Sequence, residues 1–186
     1  MSPTVADAEI LLAFEHAPVG LCVTRQRVIQ RCNAAFAEMF GYRIDELDGR
    51  SIERLYPSHE EFRNIGDRGV GPMKATGRYS DERIMRHRTK GLFWCHVSGR
   101  SLDADDPFAH AVWMFEDLSA RRPVAAKLTI REREIAQLLL VGRTSKAIAS
   151  ALALSTRTVE AHRARLMKKL GATTPGELVA RLAGIS

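Results

Sequence analysis

Between Thr156 and Leu170 the chain carries Arg157, Arg163, Arg165, Lys168 and Lys169, with Glu160 as the only carboxylate. Cations at that density pair with phosphate, and a carboxylate among them can accept a hydrogen bond from cytosine N4. Placed on a helix at about 100° per residue, Val159, Leu166 and Leu170 share one face. Arg157, Glu160, Ala161, Ala164 and Lys168 fall opposite, and Arg165 borders them. A helix buried on one side and carrying mixed charges and small residues on the other can lie in a DNA major groove. Ala161 and Ala164 would let its backbone approach, and Ala161 suits a thymine methyl. The competing reading of Glu160 is a local ion pair with Arg157 or Arg163 at helical spacing. His162 reads as a packing residue.

Other chemistries find no pattern. The six histidines have no metal-ligand spacing. There is no phosphate-cradling glycine loop, no metalloprotease motif and no nucleophile–base set, so an enzyme is not expected. Cys22, Cys32 and Cys95 form no CxxC pair and read as free thiols. A two-residue turn at Arg25-Gln26 would put Cys22 opposite Ile29, away from Cys32.

Turns and caps divide the basic helix from its neighbours. Thr129 and Glu132 make a capping box for a helix ending at Gly142. Thr144 or Ser145 opens a second helix, and Ala153-Leu154 is a tight turn. Ser155 caps the basic helix and Gly171 closes it. Thr174-Pro175-Gly176-Glu177 is a second capping box opening a last helix. This is the layout of a helix-turn-helix DNA reader.

The first two thirds read differently. A short helix is expected over Asp7–His16, then strands Leu21–Thr24 and Arg27–Arg31, and a helix capped by Asn33 and closed by Gly41. Short helices Ile44–Leu47 and Ile52–Asn64 follow, then a Gly-rich link Gly66–Gly77. Strands Arg78–His87, Leu92–Ser101 and His110–Asp117 complete an α+β domain with an antiparallel sheet. Expected boundaries are a flanking helix at 1–17, the α+β domain at 18–120, a linker at 121–127 and an all-α four-helix domain at 128–186.

Charge follows this division. Residues 1–122 hold 17 Lys+Arg against 18 Asp+Glu, whereas residues 123–186 hold 11 against 4. A neutral front and a basic back suggest a sensor or scaffold joined to a polyanion binder. The chain has no apolar run of membrane length and its start has no secretory pattern, so a cytoplasmic location is expected.

The fragments FEHAPVGL (14–21), RCNAAFAEMFGY (31–42), DELDGRSI (45–52), GLFWCHVSGRSL (91–102) and FEDLSARR (115–122) together resemble a PAS domain. The resemblance implies a five-stranded antiparallel sheet, with short helices, around a small apolar cavity. Some members bind a ligand, haem or flavin there, and others only dimerise. It turns Cys95, Val97, Gly99, Ala111, Trp113 and Phe115 inward. Trp94, His96, Val112 and Met114 then face outward, an apolar surface needing cover from the N-terminal helix, the linker or a second subunit. The expected ligand-binding residues are Phe36, Met39, Phe40, Met85, Cys95, Val97, Trp113 and Phe115, with Ile52, Leu55 and Phe62 alongside. Trp113 either plugs the cavity or stacks on a small apolar or planar ligand. Haem is disfavoured because the nearest helix histidine, His59, beside Glu60 and Glu61, reads as a solvated helix start. Flavin chemistry is disfavoured because Cys32 precedes Asn33, the reverse of the order required.

The stretches LTIREREI, VGRTSKAIA and STRTVEAHRARLMKKLGA resemble the LuxR-type helix-turn-helix, in particular the branch of nitrogen-fixation and aromatic-catabolism response regulators. The resemblance implies a tetrahelical domain that binds double-stranded DNA as a homodimer, with RNA polymerase as a further partner and no membrane. Base-reading positions fall on Glu160, Ala161 and Ala164, and phosphate positions on Lys146, Ser155, Thr156 and Thr158. Arg157, Arg165 and Lys168 supply salt-dependent affinity. Many members carry Lys where this chain has Glu160, often Lys at Ala164, and commonly Asn at Ser145. The expected function is a sequence-specific transcription regulator whose PAS domain senses a small molecule or mediates dimerisation. The alternative is a ligand-free adaptor gripping a protein through Trp94, His96 and Met114.

Overall fold

The computed structural model describes residues 5–120 and 128–183, and the expected linker at 121–127 lies outside them. The chain separates into two compact units.

In the first unit, among the described residues, α1 (Val5–Glu15) precedes β1 (Gly20–Arg25), β2 (Val28–Cys32), α2 (Ala34–Phe40) and α3 (Ile44–Leu47). A 3-10 turn at Ile52–Leu55, α4 (His59–Thr76), β3 (Arg78–His87), β4 (Gly91–Ser101) and β5 (Ala111–Asp117) follow. The five strands form one sheet in the order β2-β1-β5-β4-β3. The order joins the first strand to the last, so α2, α3 and α4 are thrown across one face of the sheet.

Asn33 secures that crossover. Its Oδ1 accepts from the N–H groups of Phe36 and Leu21, at 3.0 and 2.9 Å, and its Nδ2 donates to the carbonyls of Val19 and Phe14, at 2.9 and 3.1 Å. The side chain is buried because every polar atom is satisfied. Behind it, Phe36, Phe40 and Phe115 meet with ring centroids 4.9 to 5.7 Å apart and form the core.

Two expectations about this unit need correction. The hairpin turn is at Gln26-Arg27, not Arg25-Gln26, with positive φ of 47° and 61°. Such a turn matches the twist of the flanking strands. With a bulge between Val23 and Thr24, it puts Cys22 opposite Cys32 rather than Ile29. Both thiols are buried and unlinked, and burial pushes the Cys32 thiol up to about 12. The Gly-rich link is the second correction, because Gly66 to Thr76 is the latter part of the 18-residue α4. Gly66 and Gly69 are buried; a Cβ on Gly66 would lie 2.4 Å from Arg27 Nη1, whereas one on Gly69 would make ordinary contacts with Phe108 and Tyr79. The composition reflects close packing at Gly66, not a break in the helix.

Of the residues assigned outward, Val112 is exposed and His96 and Met114 are half-buried. Trp94 is buried. Ile10, Leu11 and Leu12 of α1 are 70%, 42% and 60% exposed.

The second unit contains, among the described residues, α5 (Ile130–Leu140), α6 (Ser145–Ala151), α7 (Thr156–Leu170) and α8 (Pro175–Leu182). Each opens on a side-chain cap, from Thr129, Thr144, Ser155 and Thr174 respectively. Ile135, Ile148, Val159, Leu166 and Leu178 form a core with essentially no exposure. The Thr129–Glu132 box is reciprocal. The one at α8 is not, since Glu177 turns back to the N–H and hydroxyl of Thr173 at 2.7 and 2.8 Å.

Candidate functional site

In the second unit, α6, the Leu152–Ser155 turn and α7 make the helix-turn-helix. Ala153 occupies the left-handed region at φ 52°, where the chain reverses between helices. Ser155 caps α7 by accepting from the Thr158 N–H at 3.0 Å, and its Oγ lies 2.8 Å from the Thr158 hydroxyl. Val159 and Leu166 are buried, while Thr156, Arg157, Glu160, Ala161, Ala164, Arg165 and Lys168 are exposed. Lys146 is exposed on α6, Ser155 is exposed at the turn and Thr158 is half-buried. Nine of these ten expected DNA-binding residues are therefore exposed, and all but Lys146 share one helix with its cap.

The remaining α7 charges have structural partners. Arg163 Nη1 donates to Ser145 Oγ at 2.6 Å, tying α7 to the start of α6, and lies 3.2 Å from Glu160 Oε1. Glu160 thus has the local ion pair foreseen for it, with Arg163. An exposed i,i+3 pair is weak enough to exchange for a base. Lys169 Nζ lies 2.5 Å from the buried Glu132 carboxylate. Burial raises the Glu132 pKa, but the Lys169 hydrogen bond and those from Thr129 outweigh it and leave it lowered. His162 is half-buried with Nδ1 lacking a hydrogen-bond partner. Burial, then the nearby Arg165 charge, lowers its pKa, which suits a neutral packing residue.

The first unit holds a cavity between the sheet and α4, about 20 Å³ in volume. Val97, Trp113 and Phe115 border it, as expected. Phe36, Met39, Phe40, Met85 and Cys95 do not border it; all but Met39 are buried in the solid core. Of the residues set alongside, Ile52 borders it and Leu55 and Phe62 do not. The Trp113 indole lies flat against Gly99, where a Cβ would come within 2.3 Å of the ring. Its N–H donates to Thr24 Oγ1 at 2.9 Å, and Phe108 stacks beside it at 6.5 Å between centroids.

Sequence reasoning missed the polar part of this cavity: Thr24, Arg27, Tyr56, Tyr79 and Arg83. Arg83 is 3% exposed, its Nη1 donates to the Tyr56 hydroxyl at 2.7 Å, and its Nε donates to Asp81 Oδ1 at 2.7 Å. The Tyr79 hydroxyl donates to Asp81 Oδ2 at 2.8 Å. Burial opposes the Arg83 charge, but Asp81 more than restores it and the pKa is raised. Arg27 lies over the Phe62 ring at 3.4 Å and donates from Nη2 to the Phe62 carbonyl at 2.8 Å. Strand alternation carried the signal. Counting back by twos from Met85, already assigned inward, gives Arg83, Asp81 and Tyr79.

His59 lies elsewhere, exposed, with Nδ1 2.6 Å from Glu53 Oε1. No cluster of metal ligands occurs among the described residues.

Residues 18–120 match the PAS domain family, and residues 126–182 match the family of bacterial regulatory proteins called luxR. The chain is 50% identical to the PAS domain of a LuxR-family transcriptional regulator from Burkholderia thailandensis, solved in complex with ethanol. That match covers 59% of this chain and 96% of the other, with a TM-score of 0.57. It is 35% identical over 109 residues to the sensor protein TdiS of Thauera aromatica, covering 59% of this chain and 20% of TdiS. Vibrio cholerae VqmA shares the fold at 21% identity and TM-score 0.55, over 96% of this chain and 88% of that one. The chain spans from a fifth to under half the length of the first curated relatives it matches, 20% to 44%. The chain belongs to the PAS domain family, and its last third is a DNA-binding domain of the LuxR-type bacterial regulators.

Proposed function

We propose that the chain is a sequence-specific transcription regulator, acting as a homodimer in the cytoplasm, whose PAS cavity senses a small molecule and thereby controls DNA binding. The observation that carries this reading is the exposed face of α7. Arg157, Glu160, Ala161, Ala164, Arg165 and Lys168 present cations, one acceptor and two small residues on one side of a helix whose other side is buried. No helix among the described residues is long and apolar enough to cross a membrane. The cavity beside Trp113 supports the sensing half, as does the ethanol complex of the Burkholderia thailandensis PAS domain. A signal acts only if it binds one arrangement of the dimer better than the other.

The test is to select DNA sites with the full chain, then measure affinity for the selected site against salt and with or without small-molecule extract. A steep salt slope, base preference and an extract-dependent shift are expected. Constant affinity with and without extract would sink sensing and favour a second reading, a ligand-free dimerisation scaffold. The exposed Ile10, Leu11 and Leu12 of α1 favour that reading, since a second copy could cover them. Contact with RNA polymerase is a further proposal, tested by transcription in vitro with purified polymerase.

A further inference from the structure

We propose that the PAS cavity takes a small carboxylate, anchored by the buried Arg83 and the half-buried Arg27 on either side of the Tyr56 hydroxyl. This rests on the sensing reading above and names the ligand class for the same cavity.

Arg83 is incompletely satisfied. Its Nε and Nη2 crowd onto one oxygen of Asp81, at 2.7 and 2.5 Å. Nη2 gains only a close approach there and makes no hydrogen bond of acceptable geometry. A buried N–H without an acceptor is costly, and a ligand oxygen at this point would complete it. Arg83 also borders the cavity, as do Arg27, Tyr56 and Tyr79. The charge balance points the same way. Arg27 and Arg83 border the cavity, and none of the residues bordering it is a carboxylate.

The backbone is shaped around this arrangement. Arg27 sits in the left-handed region at φ 61°, a conformation that costs a non-glycine residue about 1 kcal/mol. From there its guanidinium fills the space over Gly66, where a Cβ would lie 2.4 Å from Nη1. A planar carboxylate matches the fork of a guanidinium, and a neutral alcohol or amide does not. Trp113 and Phe108 border the same cavity and give it an apolar wall.

The test titrates the full chain with formate and acetate, and with formamide and acetamide as neutral shapes, at constant ionic strength, following tryptophan fluorescence and calorimetry. We expect a carboxylate to saturate the site roughly tenfold or more tightly than its amide. Arg83→Gln and Arg27→Gln should each remove that preference. Should Arg83→Gln fail to fold, Arg27→Gln, on a half-buried side chain, still decides. Equal binding of acid and amide, or an unchanged preference in Arg27→Gln, overturns the proposal and leaves sensing intact. Binding of none of the four probes overturns it as well. The sensing reading falls separately, only if DNA affinity is also indifferent to small-molecule extract.

Discussion

The arginines of α7 and those of the PAS cavity are one side chain in two environments. Arg157 and Arg165 stand in water, free to exchange solvent for phosphate. Arg83 is buried against Asp81 and Tyr56 and can exchange almost nothing without loss. An exposed cation is chosen for what it meets later, so its removal alters binding and spares the fold. A buried cation is held by the fold, so its removal alters both. The sharpest way to break this contrast is Asp81→Ala, which strands Arg83 and the Tyr79 hydroxyl together. It should cost ~3–5 kcal/mol of stability in urea unfolding, the range for an uncompensated buried charge. A loss under about 1 kcal/mol would mean that water reaches Arg83, and the two environments would then be alike.

The same contrast explains what could be read from the sequence. The surface of α7 was legible because an exposed face follows directly from helical period, and Glu160, Ala161 and Lys168 lie where counting by 100° puts them. Caps were legible for a similar reason, since Thr129, Ser155 and Asn33 act on backbone three residues away. The cavity was only partly legible. Alternation turned Val97, Trp113 and Phe115 inward, yet inward is not the same as lining a void. Phe36 and Phe40 fill their own space, and that depends on packing between elements far apart in the chain. The register of Cys22 with Cys32 was misread because a bulge and a positive-φ turn at Gln26-Arg27 leave no mark in composition. Gly66 was misread as part of a link because it admits the Arg27 side chain from a distant turn.

Gly99→Ala is the next test, confined to the cavity side. Its Cβ would meet the Trp113 ring at 2.3 and 2.4 Å, and that ring is fixed by the bond to Thr24. A loss of ~1–3 kcal/mol is expected for such overpacking, read by thermal unfolding together with Trp fluorescence. An unshifted midpoint would show that Trp113 is free to move and that the cavity wall is soft.

On the α7 side, the effects should appear in DNA binding and not in unfolding. Glu160→Ala should leave stability within about 0.5 kcal/mol and erase ~1–3 kcal/mol of discrimination at one base pair. Site selection with wild type and variant measures this directly. An unchanged preference would reduce Glu160 to its ion pair with Arg163. Arg157→Ala should instead weaken all sequences alike and flatten the salt dependence by about 0.9 log units per log unit of salt, the value for one phosphate contact. A loss confined to one sequence would make Arg157 a base reader.

Among the cavity changes, Gly66→Ala should have the smallest effect on stability, and it distinguishes the two kinds of arginine within the cavity itself. Its Cβ would stand 2.4 Å from Arg27 Nη1 and 3.0 Å from Cζ, a clash as close as the one at Gly99. The atoms struck, however, are the tip of a long flexible side chain on a half-buried residue, not a hydrogen-bonded indole. Arg27 can swing out, losing its place over Phe62, worth about 0.5–1 kcal/mol, and its hydrogen bond to the Phe62 carbonyl, worth about 0.5–1.5 kcal/mol. The helix gains about 1 kcal/mol from replacing glycine. The net loss is about 1 kcal/mol or less, so the unfolding midpoint should move little while the site loses one of its two cations. Carboxylate affinity should then fall as it does in Arg27→Gln, with Arg83 still in place. A large loss of stability would show that Arg27 is locked as firmly as Arg83, and an unchanged affinity that Arg83 alone anchors the acid.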